Sequence, residues 1–176
     1  MCLAKWLRRR KKRRRERIYE GPCMDGGTRI SNDTDAPKEI SSRELVSFSC
    51  RFSFLSLTDF PLKQGVHFFT AGRDDDGKGC TAAYNCSTAP GEGQSRVCKA
   101  EFLGSIDALL RKYNVAQHNG RYYKVSGLPN FYGASVDAVY ASGETIYCYN
   151  NQDPFLPIGL IQELYSLFVG TSDNSP

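Results

Sequence analysis

Two residues of the sequence, His67 and Cys86, could form a base and a nucleophile. They stand on either side of a segment rich in aspartate and glycine, residues 74–79. If Asp76-Gly77 makes a two-residue turn between paired strands, the imidazole and the thiol lie opposite each other, as in a cysteine-dependent enzyme. Catalysis also needs an orienting group and an oxyanion site, and the sequence identifies neither. We therefore favour ordinary sheet neighbours and a non-enzymatic protein, with Cys86 and His67 as the catalytic alternative.

The same segment resembles two ion-binding loops without matching either. Gly72, Gly77 and Lys78 have the spacing of a phosphate-binding loop, but Gly79 stands where Ser or Thr would hold magnesium. The three aspartates would repel phosphate, and a β-rich run follows instead of a helix. A calcium loop counted from Gly72 would place Ala83 at the position of its bidentate Glu. We expect a solvated turn and predict neither a cofactor nor a metal.

Tyrosines are concentrated in the C-terminal half of the chain. An aromatic sheet face can stack nucleic-acid bases. That half has few Lys or Arg and lacks the signature of an RNA-recognition sheet, so cross-strand packing is the favoured interpretation. The tyrosines concerned are Tyr122, Tyr123, Tyr132, Tyr140, Tyr147 and Tyr149.

A strongly basic N-terminal tail is the feature that most clearly calls for a partner. Anionic lipid attracts such a run, and nucleic-acid phosphate attracts it without sequence preference. The nearby Trp6 is typical of a membrane interface and favours lipid, while nucleic acid or the ribosome is the alternative, and a tail with no specific role is the third. The residues expected to bind the anionic partner are Trp6, Arg8, Arg9, Arg10, Lys11, Lys12, Arg13, Arg14 and Arg15.

The charge of the chain is divided between this tail and the rest. Residues 1–17 hold ten Lys or Arg and one Glu, a net charge of +9, whereas the remaining residues hold thirteen basic and eighteen acidic residues, a net −5. No apolar run is long enough for a transmembrane helix or a secretory signal. The seven cysteines are odd in number and lack CxxC spacing, which indicates free thiols. We expect a cytoplasmic protein, attached to the inner face of the membrane if the tail meets lipid.

Composition divides the chain into four zones. Residues 1–17 are the basic tail, residues 18–40 a linker poor in large apolar side chains, residues 41–169 a folded domain and residues 170–176 a disordered end. Within the domain, alternating apolar residues predict strands at 45–54, 66–70, 81–86, 121–125, 136–141 and 145–150. Apolar residues at helical spacing predict a helix that includes residues 102–113 and a last helix that begins near Pro157 and ends at Gly170.

This order of elements predicts an α+β fold. Strands joined by short turns imply hairpins and antiparallel pairing, so we expect a sheet built from hairpins with two amphipathic helices packed on one face. Residues 109–168 also resemble an uncharacterised family of small bacterial α+β proteins. The resemblance is carried by residues 110–115, 119–122 and 140–147, with Asn151 and Pro157 and then residues 164–168. It implies the fold but no activity.

Overall fold

The protein has an α+β fold, described by a computed structural model over residues 28–54, 62–89, 93–126 and 132–170. The described residues contain eight strands, two α-helices and one short 3-10 helix, Val115–His118. The strands are β1 (Thr28–Asn32), β2 (Leu45–Phe54), β3 (Gly65–Arg73), β4 (Gly79–Cys86), β5 (Gln94–Lys99), β6 (Arg121–Val125), β7 (Ala134–Tyr140) and β8 (Thr145–Asn150). The helices are α1 (Glu101–Lys112) and α2 (Ile158–Val169).

All eight strands belong to one open, mostly antiparallel sheet. Their order is β1-β6-β8-β7-β2-β3-β4-β5, so β1 and β5 are the two edges. Among the described strands only β6 and β8 pair in parallel, with Tyr122 beside Tyr149 and Tyr123 beside Asn150. The α+β class predicted from the sequence is confirmed.

Alternation along the central strand β2 explains the core. Phe48, Cys50 and Phe52 are buried, while Ser49 and Arg51 between them remain partly exposed. Residues directly opposite across antiparallel strands share a face. The residues opposite Cys50 are Phe69 on β3 and Val136 on β7, both 0 % exposed. The buried face of β2 therefore continues across both neighbouring strands.

Both helices contribute their apolar sides to this core. In α1 the buried apolar residues are Leu103, Ile106 and Leu110, and in α2 they are Leu160, Ile161, Leu164 and Phe168. The Phe168 ring lies 5.3 Å from that of Phe69 and 6.5 Å from that of Phe48, measured between ring centres. The helical spacing seen in the sequence is thus explained by burial against the strands.

A buried polar network joins α1 to β7. The Tyr140 hydroxyl donates to one Asp107 carboxylate oxygen at 2.9 Å, and Arg111 Nε donates to the other at 2.8 Å. Arg111 also donates to the carbonyls of Ile40 and Ser42. The residues that lead into β2 are therefore fastened to α1 by hydrogen bonds to a charged group, which are stronger than neutral ones.

Two strands, β1 and β5, were not predicted from the sequence. The composition of residues 18–40 favours a linker, but residues 28–32 form β1, and Ala36 and Ile40 after it are 4 % and 6 % exposed. In β5, residues 94, 95, 97 and 99 are exposed and none is fully buried. Both are edge strands held by backbone pairing along one side, so they lack the apolar alternation by which a strand is recognised.

Two buried asparagines extend the short parallel ladder between β6 and β8. Asn119, just before β6, donates to the Thr145 carbonyl and accepts from the Tyr147 N–H, both at 2.8 Å. Asn151, just after β8, accepts from the Val125 N–H and donates to its carbonyl, both at 2.9 Å. Both asparagines are 0 % exposed. Each side-chain amide thus takes the place of one more peptide in the ladder.

No helix in the described parts of the chain is long and apolar enough to cross a membrane.

Candidate binding cleft beside the edge strand

The structure places His67 and Cys86 opposite each other, as the turn at Asp76-Gly77 predicts. They are register partners on β3 and β4. The His67 ring is 0 % exposed, and both of its nitrogens are engaged with other residues. Nε2 lies 2.8 Å from the Lys63 carbonyl oxygen and Nδ1 lies 2.9 Å from the Tyr84 hydroxyl. Since a carbonyl can only accept, Nε2 carries the proton and Nδ1 accepts from Tyr84.

This arrangement leaves His67 without a lone pair to act as a base for Cys86. Burial also lowers the pKa of His67, which favours the neutral ring. The Cys86 sulfur lies 3.4 Å from the Thr88 hydroxyl instead. The imidazole is therefore built into the sheet by two hydrogen bonds rather than directed at the thiol.

Three further thiols lie in environments that oppose ionisation. Burial raises the pKa of Cys80 to about 11 and of Cys148 to about 12, and it raises the pKa of Cys50 further still. A thiolate, not a thiol, is the attacking species. The surroundings of these cysteines therefore oppose attack on a substrate that arrives from solvent.

A cleft of about 510 Å³ opens beside the edge strand β1, and we call it the β1–β6 cleft. One wall comes from the outer strands. Ile30 pairs with Tyr123, and Asn32 pairs with Arg121, two residues further along each strand. Partners across a strand pair share a face, as do residues two apart, so these four side chains lie on the same face. The opposite wall comes from the 3-10 helix and the segment after β8, with His118, Asp153 and Phe155.

Backbone features near the ends of α1 and β8 position this second wall. Asn114 has a φ of 52°, which ends α1 and starts the 3-10 helix that carries His118. Gly120 has a φ of 81°, and a Cβ there would lie 2.5 Å from the Asp33 carbonyl oxygen. Only glycine therefore lets the chain pass so close to the end of β1. The Asn150 side chain accepts from the Asp153 N–H at 3.1 Å and turns the chain into the cleft.

The polar groups of the cleft have mixed charge. Arg121 Nη1 lies 3.4 Å from His118 Nδ1. A guanidinium only donates, so the imidazole accepts at Nδ1 and is neutral with its proton on Nε2. Burial lowers the pKa of His118, and the nearby Arg121 and Lys38 lower it further, while Asp153 opposes them. Near neutral pH the cleft thus offers a guanidinium and an imidazole N–H as donors and the Asp153 carboxylate as an acceptor.

Aromatic rings form the apolar part of the same cleft. The Phe155 ring lies 5.0 Å from the His118 ring between centres, and Tyr122 stacks on Tyr149 at 5.1 Å. Ile30 is 72 % exposed although it is a large apolar residue. A ligand with an apolar body could cover Ile30 and Phe155 while a polar end met the guanidinium.

A second, smaller cleft of about 310 Å³ lies near Cys86. Tyr84, Gln94 and Tyr165 contribute to its lining. The Tyr84 hydroxyl is bonded to His67, and its ring meets that of Tyr165 at 5.3 Å between centres. This cleft has fewer convergent polar groups than the β1–β6 cleft, so the larger cleft is the better candidate site.

The other predicted binding residues lie outside the described part of the chain. Trp6 and the basic residues 8–15 precede residue 28, where the description begins. The structure therefore brings together the residues of the cleft, of which only Tyr122, Tyr123 and Tyr149 were singled out from the sequence, and it is silent on the tail. His118, Arg121, Asp153 and Phe155 carry no motif by which their convergence could be recognised.

The acidic segment after β3 forms a turn between two strands. Asp74 accepts from the Gly77 N–H at 3.0 Å, and Gly77 has a φ of 74°. Residue 79 begins β4, so a strand follows the turn where a phosphate-binding loop would have a helix. Among the residues that the structure describes, no group of three His, Cys, Asp or Glu side chains is placed to hold a metal ion.

Comparisons with protein-family models, curated proteins and solved structures found no match to the chain. The resemblance noted in residues 109–168 therefore remains an expectation from the sequence alone.

Proposed function

We propose that the protein is a non-enzymatic binding domain whose β1–β6 cleft receives a small ligand with an apolar body and an anionic group. The observation that carries this proposal is the convergence of Arg121 and His118 with the Phe155 ring in a cleft of about 510 Å³. That volume falls within the range of small-molecule sites, which are apolar with a few polar groups that fix orientation. The guanidinium supplies the charge for a carboxylate or phosphate.

A catalytic role has less support from the same residues. His67 is held by Tyr84 and Lys63, and His118 accepts from Arg121, so neither imidazole is free to take a proton from a thiol. A cysteine-dependent enzyme that uses Cys86 remains the alternative from the sequence, and it would require His67 Nδ1 to lose its hydrogen bond from Tyr84. Because the His67 ring is buried, breaking that hydrogen bond is costly.

The proposal is tested with benzoate, which joins a carboxylate to an apolar ring, followed by amide chemical shifts in the full-length protein. We expect the largest shifts at Asn32, at Arg121–Tyr123 and at the amides of Asp153 and Phe155, with benzamide as the uncharged comparison. Arg121→Gln should weaken benzoate binding about tenfold, since a hydrogen bond to a charged group contributes about 1.5 kcal/mol. Arg43 is also exposed but lies outside the cleft. Arg43→Gln is therefore the matched control, and its binding should equal that of the wild type.

Shifts spread evenly over the surface, or equal weakening by the two arginine substitutions, would reject the cleft as the binding site. Equal responses to benzoate and benzamide would reject the role of the guanidinium in recognising an anion.

We also propose that the basic tail tethers this domain to anionic lipid at the inner face of the membrane. The support is the run of eight basic residues at positions 8–15, close to Trp6. Each basic residue near an anionic surface contributes about 1 kcal/mol to attachment. Only residues 18–27 separate the tail from β1, which borders the cleft. A tethered protein would thus hold its cleft near the lipid surface.

Sedimentation with vesicles distinguishes this tether from the nucleic-acid alternative. The full-length protein should pellet with phosphatidylserine-containing vesicles at physiological salt. It should not pellet with vesicles of pure phosphatidylcholine, and the protein that lacks residues 1–17 should pellet with neither vesicle type. If the protein stays in solution with both vesicle types but shifts a generic RNA in a salt-sensitive way, nucleic acid or the ribosome is the partner of the tail.

The proposed architecture is a sheet built from hairpins with both helices on one face. Its support comes from one contact between each helix and a central strand, β7 for α1 and β2 for α2. Asp107 of α1 bonds to Tyr140, and Phe168 of α2 meets Phe48. Phe48 pairs with Ala138, two residues before Tyr140, so Phe48 and Tyr140 share a face. Such an arrangement would leave the opposite face to solvent.

A further inference from the structure

Cys80 and Cys98 lie directly opposite each other on β4 and the edge strand β5. Residues opposed across antiparallel strands have Cα atoms about 4.5 or 5.5 Å apart, depending on the hydrogen-bonding position. Disulfides span Cα separations of about 4.4–6.8 Å, so either position can be bridged. Both cysteines are free thiols in the structure.

Each of the two sulfurs makes a hydrogen bond to a carbonyl of β5. Cys80 Sγ donates to the Lys99 carbonyl at 3.6 Å, and Cys98 Sγ donates to the Arg96 carbonyl at 4.0 Å. Burial raises the pKa of Cys80 to about 11, and the Cys98 side chain contributes to the rise. The register sets the two cysteines directly opposite each other, so a sulfur oxidised on one strand has the other thiol beside it.

The two cysteines differ in access to solvent. Cys80 is 0 % exposed, whereas Cys98 on the edge strand is partly exposed. An oxidant from solvent therefore reaches Cys98 first, and Cys80 is held beside it to complete the reaction. This division is typical of redox-sensitive pairs, in which an accessible thiol lies next to a resolving thiol.

We propose that Cys80 and Cys98 form a reversible oxidation site that takes a peroxide as its oxidant. The Cys98 thiolate attacks the peroxide O–O bond and becomes a sulfenic acid, and with the thiol proton the leaving oxygen departs as water. Cys80 sulfur then attacks the Cys98 sulfur, the S–S bond forms, and the sulfenic hydroxyl leaves with the Cys80 proton as a second water. The two thiols lose two electrons, and the peroxide gains them.

The bridge would fasten an edge strand whose present attachment is limited. In the described structure β5 pairs only with β4, and most of its side chains are exposed. Beyond this pairing, Cys98 packs against the core, and Arg96 donates to the Leu167 carbonyl and lies over the Phe102 ring. Edge strands with few buried contacts open easily, so a covalent link to β4 suppresses that opening.

The chain contains its own control pair, Cys50 and Cys148. Both are buried, and both are register partners of Val136 on β7, which lies between them. They are therefore separated by two strand spacings, about 9.5 Å, beyond the reach of about 7 Å for a disulfide without backbone movement. A bridge at Cys80–Cys98 but not at Cys50–Cys148 would show that register decides the reaction.

The test treats the full-length protein with hydrogen peroxide, alkylates the remaining thiols and maps the peptides without reduction. We expect loss of the alkylated forms of both Cys80 and Cys98, appearance of their linked peptide and recovery of both thiols with dithiothreitol. Hydrogen exchange at the β5 amides should slow on oxidation and return on reduction. In Cys98→Ser, Cys80 should remain fully alkylatable after the same treatment, which also separates bridging from direct oxidation of Cys80.

Three outcomes would overturn the proposal. One is a sulfinic acid on Cys98 with Cys80 still alkylatable. Another is survival of both thiols at a peroxide dose that oxidises free glutathione in the same tube. The third is a Cys50–Cys148 bridge formed as readily as the Cys80–Cys98 bridge.

Discussion

Replacement of Asn119 by alanine should destabilise the domain strongly, although the residue is small and lies in a connecting segment. The amide makes three hydrogen bonds, to the carbonyls of Pro37 and Thr145 and from the Tyr147 N–H, at 2.8–2.9 Å. Asn119 is 0 % exposed, so water cannot readily replace the lost partner. At about 1 kcal/mol for each bond, the free energy of unfolding should fall by about 3 kcal/mol.

The measurement is urea unfolding followed by circular dichroism, together with the thermal midpoint. A loss of about 3 kcal/mol corresponds to a midpoint lowered by roughly 6–12 °C for a domain of this size. Asn119→Asp keeps the acceptor for Tyr147 but sets an anionic oxygen against two carbonyls. The free energy of unfolding should therefore fall at least as far in this variant as in Asn119→Ala. Asn85→Ala, at an exposed position of β4, is the matched control and should change the free energy by less than about 0.5 kcal/mol. A loss below about 1 kcal/mol for Asn119→Ala would refute the view that this amide completes the ladder.

Two further predictions concern the contacts around residues 40–44. The Glu144 carboxylate accepts from the Ser41 N–H, the Ser142 hydroxyl and the Ser42 N–H, and these bonds lower its pKa below the ordinary 4.5. A depressed folded pKa stabilises the domain fully above the unfolded pKa, and this contribution is lost as the pH falls through the folded value. The acid-unfolding profile of Glu144→Gln should therefore be flatter than that of the wild type below about pH 4.5, and parallel profiles would contradict the assignment. Tyr140→Phe removes the buried donor to Asp107 and should lower the free energy of unfolding by about 1–2 kcal/mol in urea titrations, whereas an unchanged midpoint would show that the network contributes nothing there.

The elements of the central sheet could be predicted because each carries its own pattern. The alternation in residues 45–54 predicted β2 with the observed bounds, and the predicted strands 121–125 and 145–150 correspond to β6 and β8. Strands β1 and β5 could not be predicted, since an edge strand is stabilised by the backbone of its neighbour and its own side chains are largely free to be polar.

The surroundings of His67 and Cys86 could be predicted only in part. A turn at Asp76-Gly77 sufficed to place His67 opposite Cys86, because hairpin register follows from turn length. What the sequence could not provide was the hydrogen-bond partner of each His67 nitrogen. Lys63 accepts through its backbone carbonyl, and the residue type at a position does not reveal such a bond. Tyr84 accounts for the other bond, but it is one of ten tyrosines in the chain.

The sequence by itself determined the α+β class, the positions of the patterned strands and helices, and the separation of a basic tail from a mildly acidic remainder. These properties are local, because periodicity and charge are read within a short window of the chain. Tertiary structure alone decided the parallel contact of β6 with β8, the opposition of Cys80 and Cys98, and the meeting of Arg121 with His118 and Phe155 in one cleft. Each of these depends on which backbone segments pair and in what register. That choice is made by the packing of the whole sheet and by single buried groups such as Asn119, and no short stretch of sequence contains it.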